Sequence, residues 1–218
     1  MKKLWEEVLD LLYPPRCVFC HKFLRRHEGP ICPYCREHIP YTREGGEQQG
    51  DFFRLCVSPL YYEEDVRESI LRYKFSQTSA YAETYGHLLA ECIAQRLEGC
   101  YDILSWVPLS RRRLKQRGYD QSLLLAKAVG AELGIPVQST LEKQKHVPRQ
   151  SRAGSPEKRR ANISGAYRVP DPERVRGKRV LLVDDVITSG ATLSECARVL
   201  RHAGAKEVLC ATLARAAD

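Results

Sequence analysis

Hydrophobic and polar positions along the chain follow two alternating periods. Residues 56–62 (CVSPLYY), 103–108 (ILSWVP), 179–183 and 206–214 hold short apolar runs bounded by turn or charged residues, as strands buried on both faces do. Residues 136–141 predict one more strand. Between these runs the period lengthens to that of a helix. DVRESILRYKF, with Val66, Ile70 and Leu71, predicts a short helix, and residues 78–98 predict a long one carrying Tyr81, Tyr85, Leu88, Leu89, Cys92, Ile93 and Leu97. Residues 121–133 predict a third helix, closed by Gly134, and 191–203 a fourth that ends at Gly204. Strands alternating with helices predict an α/β fold, a mostly parallel sheet flanked by helices. The sequence contains no internal repeat and no low-complexity tract.

The amino-terminal stretch MKKLWEEVLDLL predicts an amphipathic helix with Leu4, Trp5, Val8, Leu11 and Leu12 on one face, docked on the protein's own core. Glu6, Glu7 and Asp10 interrupt the apolar stretch and argue against a signal peptide. No run approaches the roughly 18 apolar residues of a membrane span, so a cytoplasmic protein is expected. The polar, glycine-rich REGGEQQGD at 43–51 predicts a flexible boundary. It divides a small module, 1–45, from a larger α/β domain, 46–218.

Composition sharpens this picture in two places. The 218 residues are 43% hydrophobic, enough for a sizeable core, and carry a net charge of +8. The excess sits in residues 111–162, with thirteen basic against four acidic side chains. Such a block suits a polyanion, either a pyrophosphate or a nucleic acid, or is a solvated surface. The nine cysteines are also unevenly placed: Cys17, Cys20, Cys32 and Cys35 form two C-x2-C pairs within nineteen residues. Two such knuckles assemble a tetrahedral zinc site, and four thiolates leave no open coordination position, so the zinc is structural. A reducing compartment disfavours disulfides here. Cys56, Cys92, Cys100, Cys196 and Cys210 lie in or beside apolar patterns and read as buried small hydrophobes.

The richest chemistry lies in VLLVDDVITSGAT, residues 180–192. A buried strand runs into two carboxylates, Asp184 and Asp185, then a loop of small residues (Thr188, Ser189, Gly190, Ala191, Thr192) that opens a helix. Ligands of open α/β sheets bind at the carboxyl ends of the strands, and a helix N-terminus attracts phosphate. Acids beside a phosphate cradle point to a ligand with both phosphate and hydroxyls, such as a sugar phosphate. A second feature, PLSRRRLKQRGYDQ at 108–121, is expected as a loop at the carboxyl end of its strand, facing the same crevice. A third, KQKHVPRQSRAGSPEKRRAN at 143–162, is basic and lacks a hydrophobic period.

The 180–192 run closely resembles the signature that binds phosphoribosyl pyrophosphate (PRPP) in type I phosphoribosyltransferases. By that resemblance Asp184 and Asp185 hold the ribose hydroxyls, Thr188, Ser189, Gly190, Ala191 and Thr192 hold the 5′-phosphate, and Mg²⁺ accompanies PRPP. Ser110, Arg111 and Arg112 fall where those enzymes bind pyrophosphate, although their loop is short and glycine-rich and this one is arginine-rich. Residues 143–162 fall where their mobile catalytic loop lies, or form a connector; Gln150, Arg160 and Asn162 are its candidates. The four-cysteine knuckle after LLYPPRC, the YKF of 73–75, RxxxRGYDQ of 113–121, the Q…RRANISGAY of 150–167 and the PRPP motif occur here in one order. That order resembles the ComF-type (ComFC) competence family. The resemblance implies a role in natural transformation, with single-stranded DNA and a helicase-like partner. It also places Lys74 near the sugar-phosphate site, and Asp184, Asp185, Arg111 and Lys74 would then carry catalysis. Arg112, Arg113, Lys115 and Arg117 are the candidate nucleic-acid contacts. A phosphoribosyltransferase of unknown acceptor, a DNA-binding protein and a PRPP sensor all remain open on these residues.

Overall fold

A computed structural model describes residues 14–25, 28–76, 78–144 and 165–217. The expected amino-terminal helix and most of the 143–162 segment, including Gln150, Arg160 and Asn162, lie outside the described residues. The elements in chain order are α1 (Pro33–His38), β1 (Cys56–Val57), β2 (Leu60–Tyr61), α2 (Glu64–Phe75), α3 (Tyr81–Leu97), β3 (Ile103–Trp106), α4 (Arg111–Arg117) and α5 (Gln121–Leu133). They continue with β4 (Glu142–Lys143), β5 (Tyr167–Arg168), β6 (Arg179–Ile187), α6 (Ala191–His202) and β7 (Glu207–Arg215).

The main sheet is parallel throughout: β3 pairs with β6, β6 with β7, and β1 and β2 pair in tandem along the other edge of β7. The pleat sorts the central strands between two apolar layers. Leu181, Val183, Leu209 and Ala211 face α2, α3 and α5, whereas Val180, Leu182, Val208 and Cys210 face Leu193, Cys196, Ala197 and Leu200 of α6. Burial on both faces explains why β6 and β7 read as unbroken apolar runs. Gly86 of α3 lets that helix approach α5 closely: a Cβ there would sit 2.3 Å from the Ala128 methyl. The four-cysteine module joins the α2/α3 layer, with Cys17, Val18 and Phe19 buried in the same apolar cluster as Tyr73 and Tyr85.

Three local expectations are corrected. The basic stretch 108–121 is a helix in its middle, α4, and not a loop throughout. Ser110 caps it by accepting from Arg113 N at 3.3 Å, and Gly118 closes it in the left-handed region at φ 81°. Arg, Leu, Lys and Gln between two such caps are good helix formers. Residues 136–141 contribute a single bridge, Val137 to Leu104; Pro136 has no N–H to extend the pairing. The strand after it is instead the short ribbon β4–β5, antiparallel and apart from the main sheet. Finally, β6 runs four residues beyond Val183, through both acids, because β7 pairs with it as far as Ile187 and Arg215. Of the five remaining cysteines four are buried, and Cys100 is half-buried.

Candidate functional site

Asp184 and Asp185 stand at the carboxyl end of β6, and the pleat gives them different neighbours. Asp185 is 5% exposed. Lys74 Nζ, from the last turn of α2, lies 2.8 Å from its Oδ1, and Gln121 Nε2, at the first turn of α5, donates to its Oδ2 at 3.0 Å. Burial pulls the Lys74 ammonium down, but the charge and hydrogen bond of Asp185, with the Asp184 and Tyr62 charges behind them, together hold Lys74 above its ordinary value. Asp184 Oδ1 accepts from Ser122 Oγ at 2.7 Å and from the Asp185 amide at 2.9 Å. Burial first, and the Asp185 charge second, push the Asp184 carboxyl up to about 7 despite those two donors.

Beyond β6 the chain enters the loop of Thr188, Ser189 and Gly190. Thr188 and Ser189 are exposed, and Gly190, Ala191 and Thr192 are half-buried. Gly190 turns the chain in the left-handed region at φ 70° and precedes α6 directly, with no side-chain cap on the helix. A loop of hydroxyls before an uncapped helix N-terminus presents N–H donors and a positive dipole end to an anion.

Two segments flank the acids. Asp120 caps α5, accepting from Leu123 N at 3.2 Å, while its other oxygen accepts from Leu109 N at 3.0 Å. One carboxylate thus ties the start of α5 to the end of the β3 segment, which sets Gln121 and Ser122 over the strand ends. Below α5, Tyr73 donates to Gln121 O at 2.8 Å, and Tyr119 donates to Tyr73 O. On the other side Lys143 Nζ donates to Tyr167 Oη at 2.7 Å across the β4–β5 ribbon. Burial, followed by the nearby Arg113 charge, lowers the Lys143 ammonium. Arg113, Asp184 and Asp120 act electrostatically on both Lys143 and Tyr167.

The structure therefore brings Lys74, Asp184 and Asp185 together. Ser110 spends its hydroxyl on the α4 cap, and Arg111, Arg112, Arg113 and Lys115 are exposed on that helix. Arg117 turns back onto α2, its guanidinium 4.9 Å above the ring of Phe75, which is 63% exposed. Tyr73 is fully buried and Tyr119 half-buried, so of those three aromatics Phe75 offers an open face. Gln121, Ser122 and Lys143 had no role in the sequence reading. The signal was present for two of them: an Asp cap at a strand's carboxyl end puts the next two residues at the crevice.

In the amino-terminal module the Sγ atoms of Cys17, Cys20, Cys32 and Cys35 lie within 4.8 Å of one another. Zn–S bonds of about 2.3 Å separate tetrahedral sulfurs by about 3.8 Å, and Cys20 Sγ and Cys32 Sγ are 3.7 Å apart. The amides of Cys32 and Cys35 donate to the sulfurs of Cys17 and Cys32 at 3.4 Å each, which favours thiolates. The donor set fits zinc with all positions filled, a structural centre. Among the described residues no helix is long and apolar enough to cross a membrane.

Comparison with known proteins agrees with both halves. Residues 120–218 match the phosphoribosyl transferase domain, and residues 8–51 the double zinc ribbon domain. The chain is thus a type I phosphoribosyltransferase fold carrying a four-cysteine zinc ribbon. It is 30% identical to competence protein F of Haemophilus influenzae over 92% of this chain and 97% of that protein. It is also 30% identical to DNA utilization protein YhgH of Escherichia coli strain K12, over 90% of each. The chain belongs to the competence protein F (ComF) family. Among solved structures, the glutamine PRPP amidotransferase from B. subtilis is similar over 64% of this chain and 30% of its own, at 25% identity and a TM-score of 0.44.

Proposed function

We propose that the crevice at the end of β6 binds PRPP with Mg²⁺ and transfers its phosphoribosyl group to an acceptor. The observation that carries this reading is the direct sequence of two acids, a hydroxyl loop and an uncapped helix at the carboxyl end of a central parallel strand. Asp184 and Asp185 orient the ribose through its hydroxyls. Thr188, Ser189 and Thr192, with the first amides of α6, hold the 5′-phosphate. Arg111 and Arg112 take up the diphosphate as it departs, and Lys74 adds positive charge beside the sugar. Asp184 and Asp185 would be the carboxylate donors for Mg²⁺, which would supply charge neutralisation for the diphosphate. Nucleophilic attack on the anomeric carbon then passes through a state of oxocarbenium character. Calorimetry with Mg²⁺ and PRPP tests the reading. The native chain binds, and Asp184→Asn with Asp185→Asn abolishes the heat; native-like binding by that double variant would overturn it. Thr192→Val, which touches neither acid, should weaken binding without unfolding the site.

A second ligand, single-stranded DNA, is favoured by one surface. Exposed Phe75 under Arg117 stands beside the basic face of α4, a pairing of aromatic stacking with phosphate contacts. The names of the relatives, competence and DNA utilization, are consistent with it. Anisotropy of a labelled oligonucleotide should fall steeply with salt. Its slope should drop by about 0.7 for each of Arg112, Arg113, Lys115 and Arg117 neutralised.

A further inference from the structure

The zinc module touches α2 one turn before that helix delivers Lys74 to Asp185. Val18 and Phe19, between Cys17 and Cys20, turn their carbonyls toward α2. Ser69 Oγ donates to Val18 O, and Arg72 Nη2 donates to both Val18 O, at 3.2 Å, and Phe19 O. Ser69 also meets the Tyr85 hydroxyl, and the Tyr85 ring stands edge-on to Tyr73 at 5.3 Å. From Tyr73 the connection continues through its hydroxyl to Gln121 O, and from the Gln121 amide to Asp185. Lys74 is the next residue along the helix and makes the 2.8 Å ion pair with Asp185.

The carbonyls that receive Ser69 and Arg72 are aimed by the Cys-x2-Cys turn, closed by His21 N donating to Cys17 O at 3.0 Å. With fully buried Ser69 and half-buried Arg72 on it, this turn sets where the last turn of α2 ends. We propose that Ser69 and Arg72 are positioning residues: seated on the zinc-knuckle carbonyls, they hold Lys74 and Tyr73 in register with Asp185 and Gln121. The knuckle is then part of the machinery of the sugar-phosphate site, and emptying its thiolate cluster weakens that site from the far side of α2. This inference rests on the PRPP reading for its ligand and on the hydrogen-bond path for its route.

Five preparations of the full chain test it: native, native with zinc removed, Arg72→Ala with zinc content verified by chelator release, Arg72→Lys and Ile93→Val. Arg72→Ala and zinc removal are each expected to weaken Mg²⁺–PRPP binding roughly five- to tenfold, the range of ordinary coupling between sites. Arg72→Lys recovers part of the affinity. Ile93→Val, a core change on α3 away from the clamp, lowers thermal stability and leaves affinity native, which separates positioning from mere destabilisation. By reciprocity PRPP tightens zinc retention by the same factor that zinc tightens PRPP. Native affinity in zinc-loaded Arg72→Ala overturns the proposal. Hydrogen exchange over residues 70–75 decides the case without PRPP: zinc removal should lower protection through Tyr73 and Lys74. If the native chain binds no PRPP the functional reading falls, while lost protection there upholds the clamp and unchanged protection overturns it.

Discussion

Asp185 faces the layer of α2 and α5, where one oxygen takes a lysine ammonium and the other a glutamine amide. Asp184, one residue earlier on the same strand, takes its hydrogen bonds from a serine hydroxyl and a backbone amide, both neutral donors. The two are identical in chemistry and adjacent in sequence, and each takes a donor from the first turn of α5, Ser122 for Asp184 and Gln121 for Asp185; they differ in the second partner, a backbone amide for Asp184 and the Lys74 ammonium for Asp185. The result is a division of labour. Asp185 is half of an ion pair that ties α2 to the sheet, while Asp184 is raised to about 7 and exchanges its proton near neutrality. For the ribose- and diphosphate-binding role proposed above, this arrangement suits a pair of adjacent acids. One charge is already compensated, and the other is held in check until a cation or ligand donor arrives.

The largest expected effect breaks the Asp185 side. Asp185→Asn leaves Lys74, 17% exposed at its side chain, without its counter-charge. Removing one partner of a mostly buried pair should cost about 3 kcal/mol, read as a shift in the urea midpoint. Lys74→Met in the Asp185→Asn background should restore most of that loss, because the stranded ammonium goes with it. A loss below about 1 kcal/mol, the scale of a surface pair, would mean that the ion pair does not tie α2 to the sheet.

A smaller effect follows from Asp184 and is visible as pH dependence. Its carboxyl titrates at 3.8 when unperturbed and near 7 in the fold. Between those values the folded chain keeps a proton that the unfolded chain has released. The contribution to stability is therefore fully present below about pH 4, declines as pH rises, and is gone above about pH 7. Asp184→Asn should remove that decline from stability curves taken between pH 4.5 and 8. Were Asp185→Asn to remove it instead, the assignment of roles would be reversed.

Contiguity along the chain decides what the sequence discloses. The strand, both acids and the Thr188–Thr192 loop are contiguous, so pattern and turn chemistry locate them without tertiary knowledge. The four cysteines are legible for the same reason, since metal spacing is local. Gln121 and Ser122 meet the acids through packing across 64 and 62 residues of sequence, and the one local signal for them is the Asp120 cap that precedes them; Lys143 has no local signal at all. The basic stretch misled in a different way. Its many charges read as loop, but Ser110 and Gly118 are the caps of a short helix, and a helix with both ends capped can be basic on every turn. Lys74 lay between: the helix was predictable, yet its partner became visible only once β6 was seen to continue past Val183.

The finest distinction concerns Ser122, which is 1% exposed and donates to Asp184 alone of the two acids. Ser122→Ala removes a donor that favours the charged carboxylate, so it should raise the Asp184 midpoint further and move the decline in stability to higher pH. Its cost is correspondingly pH-dependent. Above pH 7, where Asp184 is charged, the lost bond should be worth about 1.5 kcal/mol; below pH 5, where the carboxyl is neutral, it should be worth about 0.5 kcal/mol. Urea unfolding at pH 5 and pH 8 measures both values. Equal costs at the two pH values would show that Asp184 does not change its charge between them, and the two carboxylates would then differ in their partners but not in their protonation.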